Sequence, residues 1–359
     1  MTASATARTV HVVVPADIDD PARPSGGNAY DRRVCRALPA TGRSVEEIAV
    51  AGAWPEPDAA DRAELRRRLA TVPDGAVVLL DGLVACAVPD VLAPHAGRLR
   101  LVVLVHLPLG DEVGLPPAVA ADRAARERAT LHLATTVVAT SPWAARRLVA
   151  VHGLAADRVH VAPPGVEPAP LVPGDEAGGR LLCVGSITPT KGQDLLVEAL
   201  AQIADRQWTC RLVGPLVRDT AHVAAVRERV ERHRLGDRVE IAGPRTGADL
   251  DAVYAATDLL VLPSRAESYG MVVAEALARG IPVLAAAVDG VPETLGRAPD
   301  GALPGLLVPP ADVAALAVAL GRWLDEPELR RTARGAARAR RGALTGWEVT
   351  ARCLADLLT

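Results

Sequence analysis

The stretch RLLCVGSITPTKGQDLLVEAL, residues 180–200, reads as a strand, a loop and a helix in succession. An apolar run stops at Gly185, and a helix over 192–205 starts just past Lys191. Such a unit belongs to a parallel α/β sheet. It aims the unpaired amides of the helix start at the end of the sheet where ligands bind. The loop holds Lys191, the one lysine among the 40 lysines and arginines of the chain. Lysine is a compact cation on a flexible stem, suited to a phosphate oxygen, and Gly192 permits close backbone approach or positive φ. A solvated lysine at a helix start is the plainer account. The spacing is not that of a P-loop, which needs GxxxxGK[ST].

Outward from this stretch the same alternation recurs. Apolar runs stand at 10–15 (VHVVVP), 76–82 (AVVLLDG), 100–106 (RLVVLVH) and 135–141 (TTVVATS). A second series stands at 180–186, 210–215 (CRLVGP), 238–243 (RVEIAG), 258–264 (DLLVLPS) and 281–286 (IPVLAA). Helices fall between them at 61–70, 120–133, 192–205, 221–234, 270–279 and 312–324. Continuous apolar strands alternating with helices indicate buried parallel sheets, so each series predicts one doubly wound layer. Between the series, APPGVEPAPLVPGDEAGG (162–179) is rich in Pro and Gly and has no periodicity, as a linker does. The expected fold class is α/β, with two Rossmann-like doubly wound domains facing a cleft. The domains are 1–165, a linker at 166–179, and 180–343. Residues 344–359 form a helix that can pack on either domain.

The totals narrow the function. The 359 residues suggest two domains, and half of them are hydrophobic. Net charge is −3 with no basic half, and Phe is absent, which argues against a nucleic-acid surface. The five cysteines are scattered without a CxxC pair, so free thiols in a reducing, cytoplasmic setting are expected and a zinc site is not. The N-terminus MTASATARTVHVVVP has no long apolar leader core, and no run reaches the ~20 residues of a membrane span. The Arg-rich RAELRRRLA (62–70) allows at most weak peripheral membrane contact.

Three further segments carry candidate chemistry. In PSRAESYGMVVAEALARGIPV (263–283), Glu267 lies in a loop and Glu275 eight residues later on a helix closed by Gly280. The amides of Ser268, Tyr269, Gly270 and Met271 crowd that helix start, where an anion is favoured. Carboxylates beside such a site suit a ligand that also carries hydroxyls, since ionised carboxylates only accept. Alternatively Glu275 pairs with Arg279 at i,i+4 and Glu267 is an ordinary loop acid. In PARPSGGNAYDRRV (21–34), Gly26 and Gly27 could present bare amides to an anion and Asn28 could cap a helix; a plain surface loop also fits. In VVLVHLPLGDEVG (102–114), His106 ends a strand, where it could bond a substrate hydroxyl or carry a proton, or be a satisfied histidine.

Together these segments resemble the GT-B-fold glycosyltransferases of family 4, over nearly the whole chain. The most specific part is ESYGMVVAE (267–275), followed by EALARGIPVLA and DGVPETL (289–295). VGSITPTKG and VVATSPWAARRLVAVHGLAADRVHVAPPGVEP (137–168) add to it. The resemblance implies a nucleotide-diphosphate sugar donor, retention of anomeric configuration, and neither metal nor other cofactor. It implies donor binding by 180–343 and an acceptor, small-molecule or lipid-linked, on the side of 1–165. Lys191 would contact the diphosphate. Glu267 would face the donor sugar, with amides near Tyr269, Gly270, Met271 and Val272, and Glu275 would hold the ribose. Gly26 and Gly27 would approach the phosphate, His106 would face the sugar, and Gly243 in AGPRTG would lie beside the nucleobase. Two positions depart from the pattern. Ser186 stands where the family often has arginine, which leaves Arg265 as a substitute cation or shifts the load to helix amides. Pro164 stands where Asn is common. The rival readings are a sugar-nucleotide epimerase of the same fold and a catalytically silent sugar-nucleotide-binding protein. A dinucleotide-dependent oxidoreductase ranks last, since no convincing GxGxxG follows a strand.

Overall fold

A computed structural model describes residues 8–359. The N-terminal reading above concerns in part residues 1–7, which lie outside the described residues. The chain divides into two units, one running up to Asp19 and including Gly26–Gly165 and Gly346–Thr359, the other comprising Asp20–Ser25 and Val166–Thr345.

In the first unit the strands are β1 (Arg8–Pro15), β2 (Arg43–Val50), β3 (Val77–Asp81), β4 (Arg100–Val105), β5 (Thr136–Ala139) and β6 (Val159–Val161). They form one parallel sheet in the order β2-β1-β3-β4-β5-β6. Strands β3, β4 and β5 are buried on both faces, so they are apolar almost throughout, as VVLLD and RLVVLV are. The order reverses between β1 and β3, so the chain leaves those two strands toward opposite faces of the sheet and opens a crevice at their carboxyl ends. The helix Trp347–Leu357 packs against the helix Gly26–Ala37. Trp347 meets Tyr30 edge-on at 5.5 Å, and the Thr350 hydroxyl donates to the Pro163 carbonyl at 2.7 Å.

In the second unit the strands are β7 (Arg180–Val184), β8 (Thr209–Val213), β9 (Val239–Gly243), β10 (Leu259–Leu262), β11 (Val283–Ala286) and β12 (Gly305–Val308). The parallel order is β12-β11-β10-β7-β8-β9. Here the reversal lies between β7 and β10, so the loops after these two strands flank the crevice. The segment 166–179 has no helix or strand, yet it is bound to this unit. Val172 N–H donates to the Arg279 carbonyl at 2.9 Å, Asp175 N–H to Asp258 at 2.6 Å, and the Trp323 indole to the Gly178 carbonyl at 2.8 Å.

Three strands fall outside the apolar runs read from sequence: β2, β6 and β12. All three are edge strands. An edge strand of these sheets is only partly covered, so it need not be continuously apolar, and β2 (RSVEEIAV) carries two exposed glutamates in its middle. All five cysteines are free thiols, and Cys35, Cys86, Cys183 and Cys210 are buried. Among the described residues no helix is long and apolar enough to cross a membrane.

Trp323 is fully buried in the second core and ties 166–179 to it through its indole. Trp323→Ala is expected to lower unfolding stability by about 3–5 kcal/mol in denaturant titration. A loss below about 1 kcal/mol would show that the strap and core do not depend on this side chain.

Candidate functional site

The loop after β7 and the loop after β10 meet at the switch point of the second sheet. Lys191 ends a short 3-10 turn, Pro189–Lys191, and Gly192 follows in the left-handed conformation at φ 70°. A Cβ on Gly192 would stand 2.2 Å from the Pro263 carbonyl oxygen, so only glycine allows this approach of the two loops. The Arg265 N–H donates to the Thr190 carbonyl at 2.7 Å and sews the loops together. The result is one charge pair, Lys191 Nζ to Glu267 Oε2 at 2.5 Å. The lysine side chain is 29 % exposed and the glutamate 12 %, so a ligand can reach both.

The backbone of Glu267 is held from a third loop. Its N–H donates to Asp289 Oδ2 at 2.9 Å, and its carbonyl accepts from Gly290 N–H at 3.0 Å. Ser268 and Tyr269 lead to Gly270, the N-cap of the helix Met271–Ala278, with Met271 and Val272 in its first turn. Glu275, on the same helix, accepts from the buried Tyr254 hydroxyl at 2.7 Å. Arg279 stacks on the Tyr254 ring at 4.5 Å, and its guanidinium bonds Asp251 and the Glu275 carbonyl. Gly243 ends β9, and its carbonyl accepts from Gly214 N–H at 3.0 Å. The half-buried Ser186 presents its carbonyl to the Gln193 side chain at 3.1 Å.

Arg265 is not a spare cation. Its guanidinium grips both oxygens of Asp194, at 2.9 and 2.7 Å, and the Pro189 carbonyl at 2.7 Å. Its charge is met inside the unit, and it braces the Lys191 loop. The Asp194 carboxyl opposes burial with this partner, which holds its pKa below the usual value.

In the first unit His106 follows β4, Asp81 ends β3, and Asp31 lies on the helix Gly26–Ala37 after β1. His106 Nε2 and Asp31 Oδ1 are 2.9 Å apart. A Cβ on Gly27 would come 3.1 Å from the imidazole, so glycine lets the helix start press against the ring. The helix begins at Gly26, which puts Asn28 inside its first turn and not at its cap. Burial disfavours a charged imidazole, but the Asp31 charge and hydrogen bond, with Asp81 behind, raise the His106 pKa to about 9. A pKa raised above neutral favours the protonated imidazole, which donates.

Sequence reasoning passed over Asp31, Asp81, Asp194, Tyr254 and Asp289. Asp81 carried the signal that picked out His106, a polar residue closing an apolar strand. The others become visible only through partners at long sequence separation. A cavity of about 270 Å³ opens at the other end of the second sheet, lined by Arg180, Thr209, Arg211 and Val239. Helices end there, and their carbonyls disfavour an anion.

Gly192→Ala is expected to force the Lys191 and Glu267 loops apart. Stability should fall by more than the ~1 kcal/mol of an ordinary glycine substitution, read by thermal unfolding. Unchanged stability would refute the account of the loop contact.

Comparisons with known proteins agree with this fold. The model of the family described as Glycosyltransferase Family 4 matches residues 8–169, and that of Glycosyl transferases group 1 matches residues 175–340. The D-inositol 3-phosphate glycosyltransferase of Kineococcus radiotolerans is 36 % identical over 260 residues, 66 % of this chain and 60 % of that protein. The chain thus spans about three fifths of the length of such relatives. Sucrose-phosphate synthase from Thermosynechococcus elongatus superposes with a TM-score of 0.79 at 25 % identity, covering 98 % of each chain. Anabaena HepE, solved in complex with UDP-glucose, has a TM-score of 0.76 at 21 % identity over 98 % of this chain and 99 % of that one, a likeness of fold. With both family models matched in order and two parallel six-stranded α/β sheets, the chain belongs to the GT-B-fold glycosyltransferases of family 4.

Proposed function

We propose that this protein transfers a sugar from a nucleotide-diphosphate sugar to an acceptor hydroxyl, with retention of configuration at the anomeric carbon. The observation that carries the reading is the contact of Lys191 with Glu267 beside the start of the helix Met271–Ala278. A sugar joined to a diphosphate has hydroxyls and anionic oxygens on neighbouring atoms. A cation and a carboxylate in contact, flanked by helix-start amides, match that alternation.

In the proposed reaction the anomeric C–O bond to phosphate breaks and its electron pair leaves with the nucleoside diphosphate. Lys191 and the amides from Ser268 to Val272 neutralise the growing charge. The acceptor oxygen bonds the anomeric carbon, and its proton passes to an oxygen of the leaving diphosphate. Glu267 orients the sugar hydroxyls, Glu275 the ribose, and Gly243 borders the base. Gly26, Gly27 and His106 act from the first unit, which receives the acceptor. The names of the relatives make a phosphorylated polyol the first acceptor to try, beside lipid-linked and other small-molecule alcohols.

Ser186 and the pairing of Arg265 with Asp194 leave Lys191 as the side-chain cation assigned to the diphosphate. That favours, as a second reading, a protein that binds the donor without turning it over.

A panel of sugar nucleotides is first screened by thermal shift, where a donor at 100 times its Kd should add about 2.7 kcal/mol of stability. The stabilising donor is then incubated with the acceptor panel. Nucleoside diphosphate release with a product of unchanged anomeric configuration is expected. Binding without turnover would select the silent reading, interconversion of donors without acceptor would select an epimerase, and no binding would refute all three. Lys191→Ala should lower kcat by about 10²–10³, as loss of one transition-state donor does, while the fold is kept. Lys191→Arg should also be slower, because the planar guanidinium follows a departing phosphate less well. Equal turnover would refute the size argument.

A further inference from the structure

The switch point of the first unit holds two aspartates that the proposed transfer does not use, beside His106, which it does. Asp31 and Asp81 are 3 % and 4 % exposed. One oxygen of each and a ring nitrogen of His106 all lie within 4.8 Å of one another. Asp81 accepts from the Leu83 N–H at 2.8 Å. Asp31 spends Oδ1 on His106, and its Oδ2 is buried with no hydrogen-bond partner. A buried carboxylate oxygen without a donor is costly, and two adjoining carboxylates resist being charged together. One proton resolves both difficulties. Held on Asp81 and directed at Asp31 Oδ2, it supplies the missing donor. The three groups then carry one negative charge, one positive charge and one neutral acid, which sum to zero in a buried place. With all three ionised a net negative charge would be left.

We propose that Asp31 and Asp81 share a single proton behind His106 and so hold the imidazole as a positively charged hydrogen-bond donor. Both aspartates are positioning residues. The proton arrangement stands without the transfer reaction; its use, donation from His106 to a substrate oxygen, rests on that reading.

The electrostatics agree. Burial first, then the Asp31 charge, push the Asp81 pKa up to about 7, so the shared proton is held below neutral pH and shed above it. Against its own burial, His106 is raised to about 9, first by the Asp31 charge and hydrogen bond and last by the Asp81 charge. The Tyr30, Cys35 and Cys86 groups near the cluster keep their protons across this range. Burial lifts the Tyr30 phenol well above its usual value, and its hydroxyl donates to the Ala162 carbonyl at 2.9 Å. Burial also pushes the Cys35 thiol up to about 12 and the Cys86 thiol well up. On the C-terminal helix, Cys353 faces Tyr30. Both shifted groups bind their proton more tightly folded than unfolded. The stability they contribute is therefore full at low pH. It is lost between 3.8 and about 7 for Asp81, and between 6.5 and about 9 for His106.

The test is ¹⁵N-edited NMR of the histidine side chains in the full chain, with His106 assigned by the signal missing from His106→Gln. Wild-type His106 should stay doubly protonated at pH 7.5 with a midpoint near 9. Asp31→Asn should return the midpoint toward the ordinary value, an about 300-fold fall in proton affinity. Asp81→Asn should keep it high, because the carboxamide N–H can donate to Asp31 as the acid does. If Asp31→Asn does not fold, wild type and Asp81→Asn decide alone. A wild-type midpoint near the ordinary value would overturn the proposal. So would its collapse in Asp81→Asn, or a chelator that shifts the His106 resonances by removing a bound ion. None of these readings needs an active enzyme, so failure of the transfer reaction would be seen separately.

Discussion

The site in the second unit depends on one charge pair, Lys191 with Glu267. At an effective dielectric near 20, unit charges ~4 Å apart attract by about 4 kcal/mol before desolvation. A neutral hydrogen bond contributes about 1 kcal/mol net. The pair is partly exposed, so water screens much of that attraction, and it acts beside the two-pronged grip of Arg265 on Asp194. It cannot act alone, because both side chains are long and lose entropy on pairing. The backbone does the aligning. Gly192 lies against Pro263, Arg265 N–H reaches Thr190, and Asp289 with Gly290 clamps Glu267 from the next loop. Three loops of a parallel sheet are thus locked at one switch point.

Both units obey the same topological logic with different chemistry. In the second, the crevice carries a cation beside a carboxylate, both open to solvent in part. In the first, the polar groups lie deeper, and two carboxyls flank a histidine. Charge at the surface can be met by water or a ligand; charge below it must be met by neighbours. That difference separates a place suited to bind an anion from one suited to fix a proton. Arg265 makes the point within one loop. It lies two residues from Glu267, yet its guanidinium is spent on Asp194, and so it supports the loop it was expected to serve as a free cation.

The interior strands, the break into two units and the Lys191, Glu267 and Glu275 segments were legible because each rests on a local signal. Apolar runs, a Pro/Gly-rich segment and helix boundaries need only a few adjacent residues to be read. The strand β2 was not legible, since the sheet edge removes the burial that would make it apolar, and β6 and β12 are only three and four residues long. Tyr254 beneath Glu275 and Asp31 beside His106 were missed for another reason. Their partners lie 21 and 75 positions away, and no spacing rule connects them.

The sequence by itself determined the alternation of buried strands with helices, and hence parallel sheets whose strand ends gather polar residues. That follows from periodicity, because burial on both faces requires continuous apolarity. Only the tertiary structure decided which of those polar residues meet: that Lys191 finds Glu267, that Arg265 turns to Asp194, and that Asp81 stands behind His106. Pairing across a sheet is set by strand order, which a linear pattern does not encode, and by the partners that Gly192 and Gly27 let approach.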